Sequence, residues 1–398
     1  MKRAYDAVVV GAGPAGSVAA RRLAEGGLDV LLIEKRQEIG APVRCAEAVG
    51  AHMTSEHIPI SDRWINARIS HYAVKSAEGD AVIVPPTEPT LIVDRKVFDW
   101  ELAHLAVRSG AEVRTRTQAE GLIRDEDGRL IGVRINSVGK SAIVHTRLVI
   151  AADGTESQVA RWAGLKTVPP MGDFYVGFQY LLGNVGGRIE PTLCEYHLGH
   201  SMAPGGYVWV FPKGDDTANV GLVISADRAA DIPAQAYLDR FVARLFPGAS
   251  ILGIVAGGIP ATGALKKMVA DGVMAVGDAA HQADPLTAGG INLAMVGAAM
   301  AAQVALKAFQ MGDFSARALS EYEGLWRAQF GRMHAALYQV RKLLSRMDDE
   351  RINQLIRTAS TLPLETMTLG DVMMALFRHH PLLLIQAQVL IATGLILK

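Results

Sequence analysis

Short apolar runs closed by glycine alternate with helical repeats at the start of the chain. Ala7–Val10 is apolar and ends at Gly11. A secretory core needs about 7 to 15 apolar residues, so this run predicts a short buried strand. A helical pattern from Val18 to Ala24 follows, with Gly26-Gly27 placed to stop it. Asp29–Ile33 predicts a second strand, with Glu34 at its end. Leu148–Ala152 and Val273–Val276 are two further buried-strand runs. They end at Asp153-Gly154 and Gly277-Asp278, and a long apolar helix is predicted over about Leu293–Phe309. Between 161 and 260 the pattern becomes short strands with turns at Gly183, Gly186-Gly187, Pro204–Gly206 and Gly214–Asp216, which suits an antiparallel sheet. From Ser315 it turns helical. The last segment, Leu382–Leu397, is broken only by Gln386, Gln388, Thr393 and Gly394. It falls short of the ~20 residues a bilayer span needs. It reads as a buried helix or as an interfacial one docking on a membrane.

The first strand, Gly11-x-Gly13-x-x-Gly16, helix, strand and Glu34 form the arrangement of a dinucleotide-binding unit. Gly11 permits the turn, Gly13 lets backbone approach a pyrophosphate, and Gly16 lets helix pack on strand. The helix N-terminus offers free N–H groups to phosphate. The motif alone leaves FAD and NAD both open. Asp278, at a strand end, can accept bonds from sugar-chain hydroxyls. Gly289 and Gly290 open the next helix toward an electron-rich ring edge.

Composition narrows the class. The 398 residues carry 40 basic and 40 acidic side chains, without the basic excess of a nucleic-acid binder. Two cysteines, Cys45 and Cys194, fit a reducing compartment, so a cytoplasmic location is expected. A mean hydropathy of +0.19 is high for a soluble enzyme and points to a greasy ligand. No metal-ligand pattern stands out.

Three stretches carry a resemblance. They are Glu34 to Glu47, including Arg44-Cys45-Ala46-Glu47-Ala48; Gly206-Tyr207-Val-Trp209-Val-Phe211-Pro212 leading to Asn219-Val-Gly221; and Gly277 to Asn292. With these the chain resembles the geranylgeranyl reductase family, archaeal digeranylgeranylglycerophospholipid reductase type, within the para-hydroxybenzoate hydroxylase-like FAD superfamily. Two departures stand out. The family's Gly-x-Gly is Gly221-Leu222-Val223, and its Arg-Cys-Gly-Glu-Gly has Ala46 and Ala48 for the glycines.

The resemblance implies an α/β fold. An FAD-binding Rossmann-like domain (1–160 and 261–312) is interleaved with an antiparallel-sheet substrate domain (161–260, with part of 50–90 assignable to it). C-terminal helices occupy 313–398. It implies FAD held by Gly11, Gly13, Ala15 and Gly16 at the pyrophosphate and by Glu34 at the adenosine ribose. Arg44, Cys45, Ala46 and Ala48 would lie by the flavin, Arg95 by the phosphates or ribityl chain, and the Ala119 backbone by adenine. Asp278, Gly289, Gly290 and Ile291 would meet the ribityl chain and ring.

The implied reaction saturates an isolated C=C bond of an isoprenoid lipid, with Cys45 and Tyr207 as the polar hydrogens expected near the ring. Arg44 is the expected partner of a Cys45 thiolate. Tyr207, Trp209 and Phe211 alternate, so they share a strand face. An ordinary sheet core explains that equally well; the resemblance favours an isoprenoid tunnel, joined by Phe178. Cys194 is expected to be structural and His281 a solvated loop residue. A second strand-glycine-helix unit is missing from the sequence, so electrons are expected from transient NAD(P)H or a ferredoxin. Competing readings are a flavin monooxygenase and a redox-neutral FAD-dependent lipid-binding protein.

Overall fold

The computed structural model describes residues 1–230 and 232–364, together with Met367, Asp371, Ala375, Arg378 and His379. The segment 382–398 lies outside the described residues.

The expected α/β architecture is the one observed. A six-stranded sheet runs in the order Val269–Ala270, Val273–Ala275, Leu148–Ala151, Ala7–Val10, Val30–Ile33, Glu112–Arg114. Its inner pairs are parallel, with Ala7 opposite both Leu148 and Val30. Parallel strands covered on both faces read as unbroken apolar runs, and Val8, Val9, Leu31, Leu32, Val149 and Ile150 are fully buried. The helix Pro14–Glu25 starts with proline in its first turn and is capped at its C-terminal end by Gly26. It packs against Arg95–Arg108 and the apolar helix Ile291–Met311. The latter is long and apolar enough to cross a membrane, but most of it is buried inside the protein.

A seven-stranded sheet lies over this unit. Its order is Ser250–Pro260, Phe174–Gly183, Thr217–Ser225, Tyr207–Pro212, Leu193–Leu198, His71–Lys75, Ala81–Val84. All pairings are antiparallel except that of Leu193–Leu198 with His71–Lys75. Two strands thus come from the 50–90 stretch. One face packs on Leu238 and Phe241 of the helix Ala234–Leu245. The other carries Tyr175, Tyr207, Trp209 and Phe211.

Phe178 departs from expectation. It sits opposite Leu222 and packs with Tyr180 on the helix-covered face, away from Tyr207, Trp209 and Phe211. Period-two alternation forces this, because Tyr175 occupies the aromatic face and Phe178 is three residues on. Gln179 takes the site-facing position instead.

Helices Arg332–Leu344 and Asp349–Ala359 close the far side against Val82. Arg341, almost wholly buried, pairs with Asp173.

Candidate active site

The glycine loop separates into tight and open positions. A Cβ on Gly11, whose φ is +102°, would fall 2.3 Å from the Ala152 carbonyl oxygen. One on Gly16 would fall 1.7 Å from the Gly11 oxygen. Both glycines serve backbone packing. Around Gly13 a Cβ would meet nothing within 4 Å. Gly13 is also the N-cap, and no side chain caps the helix. The first-turn N–H groups therefore have no side-chain acceptor, as an anion site requires; Ala15 and Gly16, in that turn, are buried. Glu34 closes one end, accepting from the Ala12 N–H at 3.1 Å and the Arg36 N–H at 2.9 Å. Asp278 closes the other. Burial pushes its carboxyl up, opposed by the Arg95 cation and the Thr155 hydroxyl. Gly290 leads into the helix Ile291–Met311, where a Cβ would sit 3.3 Å from Asp278 Oδ1. Gly289 is exposed, Ile291 buried, and Ala119 buried in the strand Thr117–Arg124.

Cys45 lies where this cradle meets the aromatic sheet. Its sulfur accepts from the Glu47 N–H at 3.2 Å. Burial raises the thiol pKa, and the cation opposing that rise is Arg95. This corrects the expected pairing with Arg44, whose side chain is exposed. Adjacent residues in an extended loop point apart, whereas Arg95 opens a helix that faces the loop. The Arg95 guanidinium is held by Asp99 through a two-pronged bond of 2.6 and 2.8 Å. It faces Cys45 and Asp278, so its two outer nitrogens are not both free for a phosphate.

The aromatic face forms a continuous wall. Ring centroids are 5.6 Å apart for Tyr196–Tyr207, 5.9 Å for Tyr207–Trp209, and 5.3 Å for Tyr196–Phe211. Ala46, Ala48 and Ala288 pack against it. The Tyr207 hydroxyl donates to the Thr287 carbonyl, and burial pushes its pKa well above the usual phenol value. Its proton is thus committed to the 284–290 loop. Gly221 exists for Trp209: a Cβ there would lie 2.4 Å from the indole. Val223 fills the place of the second glycine and is buried opposite Tyr207.

With this geometry in place, comparison with known proteins is decisive. The chain is 42% identical over 397 residues to the digeranylgeranylglycerophospholipid reductase of Methanosarcina acetivorans, covering 98% of this chain and 97% of that one. It is 41% identical to that of Methanocella arvoryzae, covering 96% and 98%. The chain belongs to the digeranylgeranylglycerophospholipid reductase family. Residues 173–259 match the geranylgeranyl reductase catalytic domain and 9–67 an NAD(P)-binding Rossmann-like domain. A solved geranylgeranyl bacteriochlorophyll reductase-like protein from Thermoplasma acidophilum superposes with a TM-score of 0.91 at 34% identity, covering 98% and 99%. The myxobacterial chondrochloren halogenase, at 20% identity and a TM-score of 0.73 over 95% of this chain and 97% of that one, shares the fold.

Within this family member, sequence reasoning missed the polar residues that join the two halves. Glu47 is buried, in the left-handed region at φ +74°. Its carboxylate accepts from the Arg95 N–H at 2.9 Å, Lys213 Nζ at 2.6 Å and Asn219 Nδ2 at 2.7 Å. Gln179 Nε2 donates to the Cys45 carbonyl at 3.1 Å, and its Oε1 accepts from the Trp209 indole at 3.0 Å. The signal was present: Gln179 and Asn219 fall at site-facing positions of their strands, where an ordinary core would hold apolar side chains. His281 is buried, not solvated, bonding the Thr167 carbonyl at 2.9 Å. Cys194 is buried with its thiol pKa raised, as a structural cysteine would be.

Proposed function

We propose that this protein is an FAD-dependent reductase that saturates C=C bonds of geranylgeranyl chains on a glycerophospholipid. The observation that carries this reading is the meeting of an open dinucleotide cradle and an apolar aromatic wall at one thiol, Cys45. The open face at Gly13, the uncapped helix N-terminus, Glu34 and Asp278 fit FAD. Bound there and reduced, FAD supplies the hydride. An isolated alkene has no carbonyl to polarise, so the protein must hold the bond in place and deliver a proton to the second carbon. Tyr196, Tyr207, Trp209 and Phe211 hold the chain and exclude water. Cys45 delivers the proton: burial keeps it a thiol at neutral pH, and Arg95 stabilises the thiolate left behind.

Tyr207 orients the 284–290 loop through Thr287. Electrons come from NAD(P)H binding transiently or from a ferredoxin, and the lipid is met by peripheral contact with the cytoplasmic membrane.

The test is anaerobic mixing of photoreduced protein with digeranylgeranylglycerophospholipid. Flavin reoxidation on lipid addition supports the reading. Reoxidation only on admitting oxygen, with a hydroxylated product, would install the monooxygenase alternative.

A further inference from the structure

Cys45 is half-buried and lies beside an ion pair that is itself buried. Glu47 stands two residues on, with its side chain 3% exposed and that of Lys213 13%. Four hydrogen bonds of Glu47 converge there. Its N–H meets the Cys45 sulfur, Oε1 takes the N–H of Arg95, and Oε2 takes Lys213 and Asn219. Asn219 also donates to the Ala46 carbonyl at 3.3 Å, and Gln179 holds the Cys45 carbonyl. The loop is thus bolted to the aromatic sheet by side chains from three strands or their ends. A buried carboxylate so close to a thiol is tolerable only with its charge compensated.

We propose that Lys213 and Glu47 are positioning residues whose ion pair sets the charge around Cys45, with the loop held in place by its other bonds to the sheet, so that the thiol answers to Arg95 alone. Lys213 neutralises Glu47, so that Arg95 is the charge the sulfur experiences. The charged or titratable groups around the thiol are Glu47 on its own loop, Arg95 with its partner Asp99 on the helix Arg95–Arg108, Lys213 and Tyr207 from the sheet, and Asp278 facing Arg95. Removing the Lys213 charge leaves Glu47 uncompensated and disfavours the thiolate. Removing the Glu47 charge does the reverse.

The experiment is the pH dependence of iodoacetamide alkylation of Cys45 in FAD-loaded protein, followed by peptide mass spectrometry so that Cys194 is counted separately. Lys213→Met should move the midpoint upward by at least about half a pH unit, roughly threefold slower labelling at fixed pH. Glu47→Gln should move it downward, and Lys213→Arg should restore the wild-type midpoint. A loosened loop would instead expose the thiol and bring every variant down toward an ordinary cysteine. A downward shift in Lys213→Met, or unchanged midpoints, would therefore overturn the proposal. If Glu47→Gln fails to fold, the Lys213→Met and Lys213→Arg pair still decides. The proposal rests on Cys45 as the acid, but labelling is independent of turnover: Cys45→Ala retaining full alkene reduction would remove the acid and leave these shifts interpretable.

Discussion

The dinucleotide cradle and the aromatic wall meet at one thiol but are specified in opposite ways. The cradle is made of backbone. Its requirements are local, met by glycines within six residues: Gly11 and Gly16 have no space for a Cβ, and Gly13 leaves an open face. The wall is made of side chains from distant segments. Gln179, Lys213 and Asn219 reach back to Cys45, Ala46 and Glu47, and Trp209 donates to Gln179. One region tolerates no added atoms at its tight positions and has room at Gly13; the other depends on charge and hydrogen-bond pairing. Substitutions should therefore fail differently in the two.

The largest effect is expected at Gly16. Gly16→Ala drives a methyl into the Gly11 carbonyl and should cost more than about 4 kcal/mol, read as loss of soluble protein or a collapsed Tm. Gly13→Ala meets nothing. Apoprotein stability should change by no more than about 0.5 kcal/mol, while FAD affinity, by fluorescence titration, falls by tenfold or more. Equal losses of stability at both positions would erase the distinction between packing and ligand glycines.

On the wall, Trp209→Leu should raise KM for the lipid several-fold. Phe178→Leu, on the opposite face, should leave KM unchanged and cost less than about 1.5 kcal/mol in a denaturation curve. Tyr207→Phe should cost about 1 kcal/mol through the lost bond to Thr287 and lower kcat only a few-fold. Abolished turnover with intact stability would make Tyr207 the acid. Arg44→Ala should produce the smallest effect, leaving the alkylation midpoint of Cys45 within a few tenths of a pH unit, because Arg95 is the cation facing the thiol.

The contrast also explains what could be read in the sequence. The strand, glycine loop, helix and Glu34 were legible because hydrophobic period and glycine spacing are local signals. The aromatic alternation from Tyr207 to Phe211 was legible for the same reason. Phe178 was misplaced because register decides which face a residue takes, and register with Leu222 and Ala256 is a long-range fact. The partner of Cys45 was misassigned to its chain neighbour Arg44; Arg95 is fifty residues away and is brought in by the helix it opens. Glu47 lies in the loop after Arg44 and Lys213 just after Pro212, yet their pairing across 166 residues has no sequence period to announce it.

The central claim is that cradle and wall cooperate at Cys45 to saturate an isoprenoid double bond. Its most direct test is the mass of the lipid recovered after turnover by reduced wild-type and Cys45→Ala proteins of equal flavin content. The account predicts a gain of two hydrogens per reduced bond with wild type and little or none with Cys45→Ala. A wild-type product unchanged in mass, or carrying added oxygen, would contradict it.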